Sequence, residues 1–139
     1  MYVQLAESDI EIIECFPTIS QLRPHLKKEN FVEQVCRQQQ NGYQLAFIKV
    51  DNQVVAVAGF FISESLAYGQ FLYVYDLVVD ENVRSKGYGN HLFEWLVDYA
   101  DSKGCKVLKL DSGVQRFDAH RFYFRQRMKI ISYHFSLSL

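Results

Sequence analysis

The stretch Asp80-Glu81-Asn82-Val83-Arg84-Ser85-Lys86-Gly87-Tyr88-Gly89-Asn90 decides the reading of this chain. It lies between an apolar run at residues 71–79 and a helical pattern at residues 91–100. A strand, a glycine loop and a helix N-terminus in that order make an anion site, because loop amides can point inward and the helix dipole favours negative charge. Gly87 and Gly89 let a ligand approach the backbone closely and permit positive φ. Arg84 and Lys86 add positive charge beside the loop. A pyrophosphate suits such a loop. The Rossmann fingerprint needs three glycines, and the Walker loop needs its lysine after the glycine, so neither pattern fits.

The spacing R-x-x-G-x-G follows a strand that ends Leu77-Val78-Val79. It resembles the acyl-CoA loop of the GCN5-related N-acetyltransferases, the GNAT superfamily, which follows the fourth strand and opens the third helix. A second block, Ala119-His120-Arg121-Phe122-Tyr123, resembles the family's helix after the fifth strand. The resemblance covers essentially the whole chain and is clearest from residue 73 to residue 123. It implies an α/β GNAT fold. In that fold a mixed, mostly antiparallel sheet is flanked by helices and splays between strands four and five. It also implies acetyl-CoA as acyl-donor cosubstrate, a primary amine as acceptor, and direct transfer in a ternary complex.

Carried over residue by residue, the resemblance assigns Arg84, Lys86, Gly87, Tyr88, Gly89 and Asn90 to the coenzyme. Leu77 and Val79 would offer backbone groups to the pantetheine arm. Tyr123 stands at the position of the family's general acid, whose phenol reaches the coenzyme sulfur. A phenol stays protonated at neutral pH and can donate. A packing tyrosine, among nine in the chain, is the alternative. Asp76 is the candidate base or amine anchor. It is an acid within the apolar run Tyr75-Asp76-Leu77-Val78-Val79, where a carboxylate is costly without water, a partner or a cationic substrate. A structural acid paired with a lysine or arginine is the other reading. Two positions depart from the family. Arg127-Met128 stands where Gly-Phe is usual, and Arg116 stands where an asparagine is common. Both fall toward the acceptor side or the last strand.

Length and composition set the frame. A chain of 139 residues with 49% hydrophobic and 15% aromatic content can bury one core, so residues 1–139 read as a single domain. Net charge is −1, which offers no general basic field for nucleic acid. Cys15, Cys36 and Cys105 form no disulfide or metal signature, and no histidine pair has ligand spacing, so no metal is expected. The N-terminus does not read as a signal peptide and no run is long enough to span a membrane, so a cytoplasmic setting is the expectation.

Along the chain, residues 2–5 read as a strand. Ser8 caps a helix through Cys15 that Pro17 ends, and residues 22–40 form one or two helices. Strands at residues 43–50 and 54–62 flank an Asp51-Asn52 turn, and a third covers residues 71–79. The helix after Gly89 stops at Gly104. A strand at residues 107–110, a helix at 117–127 and a last strand at 128–137 complete the reading. Alternation in that last strand puts Ile131, Tyr133, Phe135, Leu137 and Leu139 on one face. It could pair across a two-fold axis, as family members do. The acceptor reads as a cationic small molecule, such as a polyamine or aminoglycoside. A protein amine, or coenzyme binding without turnover, are the alternatives.

Overall fold

The structure, a computed structural model, describes residues 2–139. It contains two compact units, divided after Lys109. The first is built on a sheet. Its strands are β1 (Val3–Leu5), β2 (Gln44–Val50), β3 (Gln53–Ser65), β4 (Gly69–Val79) and β5 (Val107–Leu110), and they lie in chain order. The first three pairings are antiparallel, and β5 runs parallel to β4. Asp51 and Asn52 both take positive φ, as a two-residue hairpin turn requires. The antiparallel meander expected from the sequence is present.

Three helices precede β2: α1 (Asp9–Glu14), α2 (Phe16–Leu22) and α3 (Lys28–Gln39). Ser8 caps α1 in a full capping box with Glu11. That helix ends at Cys15, as the sequence suggested, but a further helix, α2, starts at once around Pro17. Pro17 sits in the first turn of α2, where a missing N–H costs nothing. Apolar residues of α1, α2 and α3 (Ile12, Ile19, Phe31, Val35) pack on Leu45, Phe47, Val57 and Val78. The other face carries α4 (Tyr88–Ser102), with Trp95 and Tyr99 packed edge-on against Phe60. The sheet centre is therefore covered on both sides, and β3 is buried continuously from Val54 to Phe60. Gly104, in the left-handed region, closes α4 in a Schellman arrangement: its N–H donates to Asp101 and that of Cys105 to Ala100.

One irregularity in β4 positions the site. Gly59 pairs with Asp76, but Phe60 pairs with Val74, so Tyr75 is the extra residue of a bulge. In a plain strand Val74, Asp76 and Val78 would share a face. The bulge instead puts Val74 opposite Phe60 on the α4 side, and turns Asp76 and Val78 toward α1–α3.

The second unit, Leu110–Leu139, contains α5 (Phe117–Arg125). The final strand expected at residues 128–137 is not formed: the segment is irregular, without ladder partners. Its alternation is real, but five apolar side chains on one side are exposed, Phe135 at 89% among them. A strand needs a neighbour for its hydrogen bonds, and pattern alone does not supply one.

Gly59 has no room for a side chain. A Cβ there would lie 1.8 Å from the Tyr43 hydroxyl and 2.6 Å from Asp76 Oδ2. Gly59→Ala is expected to lower unfolding free energy by about 1–3 kcal/mol, as overpacking does. Urea denaturation followed by circular dichroism measures it; an unchanged midpoint would show that the strands shift freely.

Candidate functional site

The loop after β4 is held from below. Asp80 N–H donates to Val55 O at 2.8 Å, and the Asp80 carboxylate accepts from Asn82 N–H at 3.0 Å, capping a single 3-10 turn (Glu81–Val83). Gln21, near the end of α2, donates to Asp80 Oδ1 at 3.2 Å and accepts from Glu81 N–H at 2.9 Å. Ser85 and Gly87 then both take positive φ, 69° and 85°. Gly87 is the N-cap of α4, with no side-chain cap bond and no acidic residue in the first turn. The first amides of a helix have no intrahelical partners. Here Tyr88, Gly89 and Asn90 present them at the positive end of a 15-residue helix dipole.

The structure thus brings Arg84, Lys86, Gly87, Tyr88, Gly89 and Asn90 into one loop and helix start, with Arg84 and Lys86 exposed. Arg84 Nε donates to Val79 O at 3.3 Å, folding the side chain back along the strand end. Asn90 Nδ2 reaches Glu94 Oε1 at 3.0 Å. Leu77 and Val79 pair with Ala58 and Ala56 of β3. On the other edge of β4, Lys106 N–H meets Gln70 O at 2.7 Å, just before β5 begins. Four residues of β5 extend only about 13 Å, so the Tyr75–Val79 end of β4 runs on past it.

Asp76 is paired. Arg23 Nε donates to its Oδ1 at 3.1 Å and the Tyr43 hydroxyl to its Oδ2 at 2.7 Å. Arg23 also donates through Nη2 to Tyr75 O at 2.9 Å. Tyr43 is buried. Burial, then the neighbouring Asp76 charge, pushes its phenol well above the ordinary value, so it stays a donor. These groups wall a cavity of about 440 Å³ between α2, α3, β2 and β4, lined also by His25, Gln34, Gln38 and the apolar side chains of Leu26 and Phe31. The sequence named neither Arg23 nor Tyr43. Gly59 was the available signal: a glycine inside an apolar strand marks a close approach.

In the second unit Tyr123 is half-buried, and desolvation raises its phenol pKa from the ordinary 10.0, against a smaller opposite pull from Arg116. His120 Nε2 lies 2.8 Å from Gly113 O. Arg121 is engaged by Asp118 at 2.8 Å, on the helix surface. His134 Nδ1 stands 3.3 Å from Asp111 Oδ2. Tyr123, His120 and His134 line a cavity of about 650 Å³ within this unit. Cys15, in the first unit, is fully buried and its thiol is pushed up to about 12, chiefly by desolvation, which makes it a poor nucleophile. Among the described residues no group of three or more His, Cys, Asp or Glu is placed to hold a metal, and no helix is long and apolar enough to cross a membrane.

Comparison with known proteins bears on this geometry. The model of the acetyltransferase (GNAT) family matches residues 10–128. The uncharacterized N-acetyltransferase YhdJ of Bacillus subtilis is 34% identical over 125 residues, covering 88% of this chain and 87% of the relative. The aminoalkylphosphonate N-acetyltransferase of Salmonella typhimurium is 32% identical over 66 residues, 48% of this chain and 43% of that one. The solved structure of ribosomal-protein-alanine N-acetyltransferase from Brucella melitensis superposes with a TM-score of 0.85 over the full length of both chains, at 16% identity. With the strand, glycine loop and helix in place and residues 10–128 of the chain matching the family model, this chain belongs to the GNAT acetyltransferase family.

Proposed function

We propose that the protein is an acetyl-CoA-dependent N-acetyltransferase that moves an acetyl group to a primary amine of a small molecule, by direct transfer in a ternary complex. The observation that carries this reading is the start of α4: a left-handed Gly87, open first-turn amides, no acidic residue, and Arg84 and Lys86 alongside. That combination suits the coenzyme pyrophosphate. The backbone of Leu77 and Val79 takes the pantetheine arm. The family membership supports the activity, and the name of the Salmonella relative supports a small-molecule acceptor.

The chemistry follows from these groups. The neutral amine attacks the thioester carbonyl carbon, and the tetrahedral intermediate collapses with loss of the coenzyme thiolate. Tyr123 supplies the proton that the sulfur takes up, and the amine nitrogen loses one. Burial raises the phenol pKa, so Tyr123 remains a proton donor throughout the neutral and mildly alkaline range. Asp76 was the candidate base or amine anchor. Both its oxygens accept hydrogen bonds from Arg23 and Tyr43, which favours the paired structural acid. Its role is then to position Arg23, and the amine proton leaves through water.

Residues 128–139 carry an exposed apolar row, including Tyr133 and Phe135, which supports pairing with a second copy.

Four outcomes test this reading. Acetyl-CoA at about 100 times its Kd should stabilise the fold by ~2.7 kcal/mol, seen as a thermal shift that Arg84→Ala diminishes; no shift at millimolar coenzyme removes the coenzyme site. Tyr123→Phe should lower kcat by about 100-fold or more with coenzyme binding retained. In the wild type the alkaline limb due to this acid should fall above pH 10.0, because the raised pKa keeps the phenol protonated beyond its ordinary range. Unchanged turnover in the phenylalanine variant at every pH ends the acid role. Light scattering should give twice the chain mass, and changing Tyr133 and Phe135 to lysine should give the monomer.

A further inference from the structure

We infer that the cavity walled by Arg23 and Asp76 takes an amine that also carries an acid group, a carboxylate or a phosphonate, and that Arg23 is the residue that meets that group. This rests on the acetyltransferase reading above and narrows its acceptor.

The argument is one of charge and spare bonding capacity. Among the described residues Asp76 is the only carboxylate lining the cavity, and it is spent: Arg23 holds one oxygen and Tyr43 the other. The Tyr43 proton is spent with it. Arg23 is not spent. A guanidinium has five N–H groups in a rigid fork. Nε is used on Asp76 and one Nη2 hydrogen on Tyr75 O, and its side chain is 42% exposed where that of Asp76 is 15%. The Nη1 edge is the part of the fork these two bonds leave over, and guanidinium edges match carboxylate and phosphonate oxygens in pairs. His25 adds an imidazole to the lining. Gln34 and Gln38 supply neutral donors and acceptors, and Ile19, Leu26, Phe31, Val35 and Leu45 give the lining an apolar part, which suits a short aliphatic stem.

A polyamine or aminoglycoside, the acceptors the sequence suggested, would bring several positive charges to a wall whose one negative charge is already neutralised. Each would face a guanidinium with no carboxylate to offset it. An amine bearing an acid group brings its own negative charge, which Arg23 can bind while the amine end stays free to react. The wall continues directly into the coenzyme stretch. Tyr75 and Asp76 precede Leu77–Val79 on the same strand, and Asp76 is about 10 Å from Val79 along it.

The test is steady-state thiol release from acetyl-CoA with four probes of similar length: propylamine, diaminopropane, β-alanine and aminoethylphosphonate. The two acid-bearing amines should have kcat/KM at least about tenfold above the other two, and the better of them identifies the anion. Arg23→Gln should reverse the order. It removes the cation and leaves Asp76 with one partner fewer, so KM for the acid-bearing probes should rise about tenfold or more while diaminopropane improves. Arg23→Lys keeps the positive charge and should keep the order, which also covers a glutamine variant that fails to fold. The acetyl-CoA thermal shift serves as the folding control for both. Turnover in which propylamine or diaminopropane equals the acid-bearing probes overturns this inference alone, as does an Arg23→Gln enzyme that folds and keeps the wild-type order. Thiol release with none of the four overturns the acetyltransferase reading itself, and this inference falls with it.

Discussion

The missing side chain of Gly59 is the constraint on which the site depends. Through that gap the Tyr43 phenol crosses β3 to reach Asp76 on β4, 2.7 Å away. Without it Asp76 would be a half-buried carboxylate between Tyr75 and Leu77 with one partner instead of two, a costly state for a charge. The bulge at Tyr75 is the other half of the same arrangement. It reverses which side of β4 its residues face, so that Val74 can pack under Phe60 while Asp76 turns to the opposite face. A glycine on one strand and an inserted residue on the next thus place one charged group at the wall of a cavity. Four elements meet there: the end of α2 through Arg23, the lead into β2 through Tyr43, and strands β3 and β4.

Much of this was legible in the sequence, for physical reasons specific to each part. The loop after β4 was readable because its signals are local: Gly87 must take positive φ, and Arg84 and Lys86 flank it within three residues. The Asp51-Asn52 hairpin and the Gly104 helix stop were readable on the same basis. Pro17 rightly marked the end of the helix that Ser8 caps, but proline also suits a helix's first turn, and its second role, starting α2, was not read. The segment after residue 127 misled differently. Its alternation describes a face, but a strand exists only when another strand takes its hydrogen bonds. Asp76 was recognised as anomalous, yet its partners lie 53 and 33 residues away in sequence. Register and a bulge bring them together, and neither is written in any local pattern. Gly59 was the one residue that pointed to the close approach, and it sits in a run otherwise read simply as a buried strand.

Net charge is a poor guide to this molecule. A value of −1 correctly offers no general field for a polyanion. It says nothing about the loop, where two cations stand beside open helix amides with no acid in the first turn. Nor does it describe the cavity, where Asp76 is matched and the guanidinium that matches it retains donors. Local balance decides what each surface attracts. In both places the proposed ligand is an anion, although the chain as a whole is slightly acidic.

The last turn of α2 ties these two places together. Gln21 bonds Asp80 and the Glu81 amide, fixing the start of the glycine loop. Two residues later Arg23 bonds Asp76 and the Tyr75 carbonyl, fixing the cavity wall. One set of bonds grips the chain just after β4 and the other grips the bulge within it. Pro17 in the first turn and the buried Thr18 hydroxyl, which donates to Val54 O at 3.0 Å, set how α2 lies on the sheet. A seven-residue helix with modest intrinsic stability is therefore held at both ends by bonds to the sheet. In return it fixes the spacing between the loop and the cavity. On the proposed reading that spacing matters, because donor carbonyl and acceptor nitrogen must meet within near-attack distance, and a shift of one ångström costs orders of magnitude in rate.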